Sequence, residues 1–409
     1  MPPEADNRVD AEIERQLTLI REGALEVITE GDLRAKLRFS LTNNRPLLVK
    51  LGLDPTAPDI HLGHSVVLNK LRDFQILGHT VVFLVGDFTG RIGDPSGRSK
   101  TRPALDEAAI KKNAETYCDQ AFKILDREKT LIDYNSRWGD AMSFADVIRL
   151  AAKYTLARML ERDDFAKRLA EGAPVSVHEL LYPLAQAYDS VALKADVELG
   201  GSDQKFNLMV ARDIQREYDQ EPEIAVIMPL LVGTDGVLKM SKSLGNYVGI
   251  TDAADDMFGK LMSVSDELMY DYFEILRLKT ADEVARLRAD VGQGLVHPKA
   301  LKQELARRIV AVYRDDAAAR AAQEEFDRVH AQHLTPEDIP TFTRTAPQMK
   351  VVDIIVGAGL APSKSEARRL IAQKAVTIDG EPVSDGDAPA PFAGGEVIQV
   401  GKRRFVRIG

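Results

Sequence analysis

Through the first 230 residues, short apolar runs alternate with longer stretches whose apolar positions recur at helical spacing. Residues 47–53 and 80–85 are almost wholly apolar, with the length and filling of strands buried on both faces. Between them Val67, Leu71 and Phe74 share one face of a helix that opens at His61, and Gly78 stands past its end. This is one βαβ unit. Its first turn, Asp54-Pro55-Thr56-Ala57-Pro58-Asp59, carries the polar residues. Residues 195–204 give another strand, ending in Gly200-Gly201, and 224–231 give the last. The pattern predicts an α/β fold with a Rossmann-like parallel sheet. Ligands in such a fold sit beyond the carboxyl ends of the strands, against helix N-termini.

Around this frame the pattern is helical. Residues 9–30 predict a helix with Ile13, Leu17, Ile20 and Leu25 as its buried stripe, and a shorter helix restarts at Gly31-Asp32. Residues 111–125 and 144–171 predict a helical insertion spanning about 111–180, with 133–139 and its Trp138 as an irregular connection. Residues 231–250 connect the strands to an all-α domain at 251–335, whose long last helix begins at Pro298. Three prolines mark 336–347 and its approach as a linker. In 348–409 alternating strands return, with Asp379-Gly380 and Gly401-Lys402 as hairpin turns and Ser363-Lys364-Ser365-Glu366 as a capping box. That segment reads as a small α+β domain.

A net charge of −9 argues against a chain coated in nucleic acid, though not against one that grips RNA locally. The charge is uneven. From Pro347 to the end there are nine Lys and Arg against seven Asp and Glu, a net +2, so the preceding residues carry −11. The helix bearing Lys364, Arg368, Arg369 and Lys374 is therefore a candidate RNA-binding face. The single cysteine, Cys118, excludes an internal disulfide, and the seven histidines show no zinc spacing, so no protein-bound metal is expected. There is no long apolar segment and no signal-like start, which predicts a cytoplasmic protein without a membrane span.

Four segments carry candidate chemistry. His61 and His64, three apart at the positive end of a helix, can donate to phosphate oxygens, and Gly63 between them leaves room for a flat base. The loop 85–102 combines four glycines with Arg98, Lys100 and Arg102 at the same sheet edge. Tyr182, Gln186 and Asp189, at i, i+4 and i+7, aim three hydrogen-bonding groups at one side of a helix. After the next strand, Gly200 and Gly201 let backbone amides approach a ligand, and Asp203 can accept from ribose hydroxyls.

His61-Leu62-Gly63-His64 resembles the HIGH signature of class I aminoacyl-tRNA synthetases, and Lys239-Met240-Ser241-Lys242-Ser243 matches their KMSKS loop, in the required order. The loop at 94–102, the Tyr182/Gln186/Asp189 set and Gly200-Gly201-Ser202-Asp203-Gln204 narrow the resemblance to the tyrosyl-tRNA synthetase family, bacterial type. The C-terminal segment resembles the α-L RNA-binding motif.

The resemblance implies ligation of L-tyrosine to tRNA(Tyr) through tyrosyl-adenylate, with ATP as substrate and Mg²⁺ arriving with it. It implies that His61, His64 and Thr56 meet the ATP phosphates, joined by Arg98, Arg102, Lys239 and Lys242 as pyrophosphate leaves. Gly63, Gly200, Gly201, Asp203 and the loop residues Met240, Ser241 and Ser243 would complete the ATP site. Asp94, Tyr182 and Gln186 would hold the α-ammonium group, Asp189 the phenolic hydroxyl and Gln204 the carboxylate. The insertion would make a homodimer and the all-α domain would meet the anticodon. Two positions depart from the family: Lys50 and Leu51 stand where many bacterial members have Tyr-Cys. The rivals are a tryptophanyl-type synthetase, disfavoured by the 182/186/189 set, and a non-catalytic RNA-binding protein, whose signature motifs would have decayed.

Overall fold

The computed structural model describes residues 3–56, 58–96, 107–331, 339–344, 349–387, 389–390, 392, 394–401 and 404–409. They divide into two compact units, Met1–Ala319 and Arg320–Gly409.

The first unit is built on a six-stranded sheet of β1 (Glu26–Ile28), β2 (Leu48–Leu53), β3 (Thr80–Val85), β4 (Thr130–Tyr134), β5 (Val197–Gly201) and β6 (Ile224–Met228), in the order β1-β6-β5-β2-β3-β4. Five strands are parallel, and β1 joins the β6 edge antiparallel. β3 and β6 are buried on both faces, which is why they read as almost unbroken apolar runs. Connections from β2 step outward to β3 and β4, then return to β5 on the other side of β2. The topological switch point therefore lies between β2 and β5.

Three local expectations give way. The first helix ends at Arg21, and Gly23 at φ +71° redirects the chain, so Leu25 is 62 % exposed rather than part of a buried stripe. The residues after it form β1, too short for an alternation to register. The stretch 133–139 is not irregular: β4 runs to Tyr134, and a single helical turn, Ser136–Gly139, follows it. The helix Glu107–Ala121 is consequently the crossover between β3 and β4, part of the α/β layer rather than of an insertion. Between 144 and 171 the chain makes three short helices, Phe144–Ala151, Leu156–Met159 and Asp163–Ala170.

The helices from Ala254–Met262 to Pro298–Tyr313 belong to the same compact unit as the sheet, so the break expected near 250 is not where the units divide. Specific ties hold them there. The buried Tyr272 donates to the Val232 carbonyl at 2.7 Å, and Arg277 pairs with Asp73 and Glu22.

The second unit has its own core, with Val352, Ile354, Ile355, Ala367, Val376, Ile398 and Val400 buried among its members. Its helix Lys364–Ala372 is capped by Ser363 Oγ, which accepts from the Glu366 amide at 3.2 Å. Lys374 lies past that helix at φ +56°. Thr341–Phe342, expected in the linker, adds a parallel strand beside Arg404–Ile408. Of the two expected hairpin turns, Lys402 in the second lies outside the described residues. No helix among the described residues is long and apolar enough to cross a membrane.

Candidate functional site

A cavity of about 530 Å³ opens at the switch point, beyond the carboxyl ends of β2 and β5. Its walls include Thr56, His61, Gly63, His64, Asp94, Tyr182, Gln186, Asp189, Gly200, Gly201, Asp203, Gln204, Lys239, Met240, Ser241 and Ser243. Lys242 lines an adjoining recess with Thr56, Asp59, His61, His64 and Tyr117. Sixteen of the candidate positions thus meet in one place, and Lys242 stands beside them. Arg98, Lys100 and Arg102 lie outside the described residues.

The histidine segment is stitched by backbone to the chain that follows the lysine loop. Residues 60–62 run antiparallel to 248–250, with the Leu62 amide donating to the Val248 carbonyl and the Ile250 amide to the Ile60 carbonyl, each at 3.0 Å. His61 is the N-cap of the helix Leu62–Ile76, so it precedes that helix rather than sharing a face within it. Its Nδ1 accepts from the Gly63 amide at 3.1 Å, and His64 Nδ1 accepts from the His61 amide at 3.3 Å. A ring nitrogen that accepts carries no proton, so each neutral imidazole keeps its proton on Nε2 as a donor. The rings lie 3.9 Å apart. Burial, His64 and the lysines push His61 down to about 2, and burial with Lys239 pushes His64 down to about 4. Both are neutral near pH 7. A Cβ on Gly63 would stand 3.0 Å from the His61 ring, tighter than ordinary contact, so that ring would have to shift.

Over the cavity, Lys239 Nζ meets Asp203 Oδ2 at 2.6 Å, and Lys242 pairs with Asp59. The loop is pinned by buried Asn246. Its Nδ2 donates to Asp235 at 2.8 Å and to the Lys239 carbonyl at 3.2 Å, and its Oδ1 accepts from the Ser241 amide at 2.8 Å.

At the far end the polar groups form two networks. Asp189, 4 % exposed, accepts from Trp138 Nε1 at 2.8 Å and from Asn135 Nδ2 at 3.2 Å, one donor per oxygen. Burial raises it to about 7 against the pull of Lys50 and these two donors. Asn135 also donates to Thr89, which donates to Asp54 at 2.7 Å, and the Tyr182 hydroxyl donates to the other Asp54 oxygen at 2.9 Å. With its proton committed to Asp54, Tyr182 turns its lone pairs to the cavity. Burial and the neighbouring carboxylates keep it a neutral phenol.

The second network starts at buried Arg162, which can only donate. It donates to Asn207 Oδ1 at 2.8 Å. Asn207 Nδ2 therefore donates to Gln186 Oε1 at 3.0 Å and to Gln204 Oε1 at 2.9 Å, and Gln204 Nε2 to Asp94 at 2.9 Å. Every amide orientation follows from the fixed arginine at one end and the carboxylates at the other.

Arg162, Asn207, Asp54, Thr89, Asn135 and Asn246 do not stand out in the sequence. Each acts through a neighbour brought from another segment, so even Asp54 and Thr89, which lie in stretches the sequence singles out, show no role there. Lys50 points away from the cavity into a pair with Glu198, whereas Leu51 lines the cavity wall. In the second unit, Lys364 pairs with Asp353, Arg368 with Asp387 and Arg369 with Glu366. Among the described residues no cluster of His, Cys, Asp or Glu is arranged to hold a metal ion.

A parallel sheet with a helix-capping histidine pair and a lysine loop at its switch point is the architecture of a class I aminoacyl-tRNA synthetase. The family model for "tRNA synthetases class I (W and Y)" matches residues 42–331. A second, "Tyrosine--tRNA ligase SYY-like C-terminal domain", matches 331–393. Curated relatives include the tyrosine–tRNA ligase of Moorella thermoacetica, 55 % identical over 401 residues and covering 98 % of this chain and 97 % of that one. That of Nitratidesulfovibrio vulgaris is 55 % identical over 404 residues, covering 97 % and 99 %. The crystal structure of Archaeoglobus fulgidus tyrosyl-tRNA synthetase complexed with L-tyrosine aligns with a TM-score of 0.61 at 24 % identity, over 76 % of this chain and 99 % of that one, and shows the shared fold. The chain belongs to the tyrosyl-tRNA synthetase family.

Proposed function

We infer that the chain ligates L-tyrosine to tRNA(Tyr) at the expense of ATP. A tyrosine carboxylate oxygen attacks the α-phosphorus and pyrophosphate leaves. A ribose hydroxyl at the tRNA 3′ end then attacks the carbonyl carbon of tyrosyl-adenylate and AMP leaves. The observation that carries this reading is the convergence of the histidine pair, the lysine loop and the Tyr182/Gln186/Asp189 face on one cavity. Tyrosine-dependent ATP–pyrophosphate exchange tests it, run against tryptophan and phenylalanine. Tyrosine is expected to support exchange far above either, and equal or faster exchange with tryptophan would overturn the assignment.

No covalent enzyme intermediate is required, so catalysis is positioning and charge stabilisation. His61 and His64 donate from Nε2 to ATP phosphates, beside Thr56. Lys239 and Lys242 exchange Asp203 and Asp59 for phosphate oxygens, joined by Arg98 and Arg102, and Asp203 is then released to the ribose. Gly63, Gly200, Gly201, Met240, Ser241 and Ser243 border the nucleotide. Mg²⁺ arrives on ATP and needs no protein cage. Asp94, the lone pairs of Tyr182 and the Gln186 carbonyl offer three acceptors to the three N–H groups of the α-ammonium, while Asp189 accepts the phenol. The Gln204 N–H groups are engaged by Asp94 and Ser96, so contact with the substrate carboxylate requires that side chain to turn.

Replacing Lys239 with alanine is expected to slow adenylate formation roughly a hundredfold, the scale for losing one donor to developing charge. Tyrosine affinity should change less than about twofold. Pre-steady-state rates with a separate tyrosine titration check this, and a loss confined to affinity would remove Lys239 from the phosphate site.

For tRNA, the reading assigns Lys364, Arg368, Arg369 and Lys374 to the phosphate backbone and the helices from 254 to 313 to the anticodon arm. A homodimer is supported by Leu131, Tyr134, Phe144 and Ile148, all exposed on the edge strand β4 and the helix after it. Charging in the cytoplasm completes the reading.

A further inference from the structure

A buried charge cluster lies behind the amino-acid end of the cavity, and no step above uses it. Lys50 on β2 and Glu198 on β5 face each other in the parallel register of the two central strands. Their side chains are each 1 % exposed, with Lys50 Nζ 2.9 Å from Glu198 Oε1. Glu223, just before β6, is fully buried as well. An ion pair in such a place is weak evidence for stabilisation, because apolar residues of like volume often do better.

Proton accounting makes the cluster neutral. Burial alone would lower Lys50, and the acidic groups around it, Glu198 foremost, reverse that, so it stays charged. Burial is the largest influence and would raise Glu198, but Lys50 together with the hydrogen bonds from Glu223, Lys50 and Gln186 reverses it, and Glu198 is ionised. Glu223, buried beside that carboxylate, is driven well above the usual range and keeps its proton. As bare carboxylates, Glu198 Oε2 and both Glu223 oxygens would be orphaned. A proton on Glu223, donated to Glu198, pairs two of these three oxygens.

Glu198 can then only accept, which dictates the orientation of Gln186. Gln186 Nε2 donates to Glu198 Oε1 at 3.1 Å, and its carbonyl turns the other way, accepting from Asn207 with one lone pair and leaving the second for the cavity. We propose that the Lys50–Glu198 pair is a positioning device for Gln186, locking its amide with the carbonyl oxygen toward the α-ammonium group of the substrate. The proposal rests on the tyrosine reading. A flipped amide would set NH₂ against NH₃⁺, donor against donor.

Two doubly substituted enzymes with no charge left at these positions separate orientation from stability. K50M/E198Q keeps a carbonyl acceptor for Gln186, and K50M/E198M removes it. In tyrosine-dependent ATP–pyrophosphate exchange, the Met form is expected to show a KM for tyrosine about tenfold above the Gln form, with kcat values within about threefold. Tyrosinol, which retains the ammonium, should lose inhibition by the same factor. The ammonium-free 3-(4-hydroxyphenyl)propionate should inhibit both equally. E198D, which keeps both charges but withdraws the carboxylate from Gln186, should raise KM several-fold in the same ammonium-dependent way, and it answers the question if the Met form does not fold. Equal KM values in the two double variants, or a parallel loss for the propionate, would overturn the proposal. The unsubstituted enzyme in the same series tests the tyrosine reading separately.

Discussion

Ending the chain at Ala331 is expected to leave tyrosine activation within about threefold of the full-length rate while lowering tRNA charging by about three orders of magnitude, the lower end of what separates specific from non-specific nucleic-acid binding. Every residue lining the cavity lies in the first unit, and the second unit has a core of its own. Removing it takes away no group assigned to adenylate chemistry. What is lost is the basic face. Lys364, Arg368 and Arg369 are paired with carboxylates, but these are exposed, solvent-screened pairs that phosphate oxygens can replace. Reversing the charge of Arg368 and Arg369 in the full chain should lower the salt slope of tRNA binding by about two. Parallel loss of activation and charging in a folded truncation would show instead that the C-terminal unit serves the adenylate site.

Replacing Asp189 with alanine is expected to cost tyrosine activation roughly 2–5 kcal/mol, the range for truncating one partner of a buried, charge-assisted hydrogen bond. Phenylalanine never fills that bond and should lose much less, so the preference narrows from the tyrosine side. Rejection of phenylalanine through a hydrogen bond to the tyrosine hydroxyl is already established for this enzyme family and is no discovery of this structure. The pH dependence is particular to it. Asp189 sits at about 7 in the free enzyme, so its carboxylate fraction grows as pH rises through 7 and falls below it. A charged acceptor holds a phenol more strongly than a neutral carboxyl, so kcat/KM for tyrosine should rise from about pH 6 to 8 and flatten above. His61 and His64, at about 2 and 4, contribute no limb in that window. The limb should vanish in the Asp189 variant. Its persistence there would assign the titration elsewhere, and equal losses with both amino acids would make Asp189 a structural residue.

The parts of the fold that were legible in the sequence share a physical cause. β3 and β6 are buried on both faces and so write near-continuous apolar runs, β2 does so but for Lys50, β5 is marked by its glycine turn, and the helix beginning after His61 writes a periodic face. β1 is three residues long and β4 carries Asp133 near its end, so neither produces the signal of a buried strand. At the site, residues contiguous in sequence were found, and those joined only by folding were not. Asp54 lies within the Asp-Pro-Thr turn, but its role depends on Thr89 and Tyr182 arriving from other elements. Lys50 could be seen to depart from the family but not to point away from the cavity, because that depends on Glu198 being its neighbour in the register of β2 and β5.

One enzyme-bound intermediate is expected to pass from ATP chemistry to RNA. The direct measurement is a single-turnover chase. The full-length enzyme is loaded with labelled tyrosine and ATP, freed of unbound nucleotide, and mixed with tRNA in the absence of further ATP. Labelled tyrosine is expected to appear on the 3′-terminal adenosine in amounts approaching the bound adenylate, with AMP released in step. Release of free tyrosine with no tyrosyl-tRNA, or transfer only after fresh ATP is supplied, would contradict it.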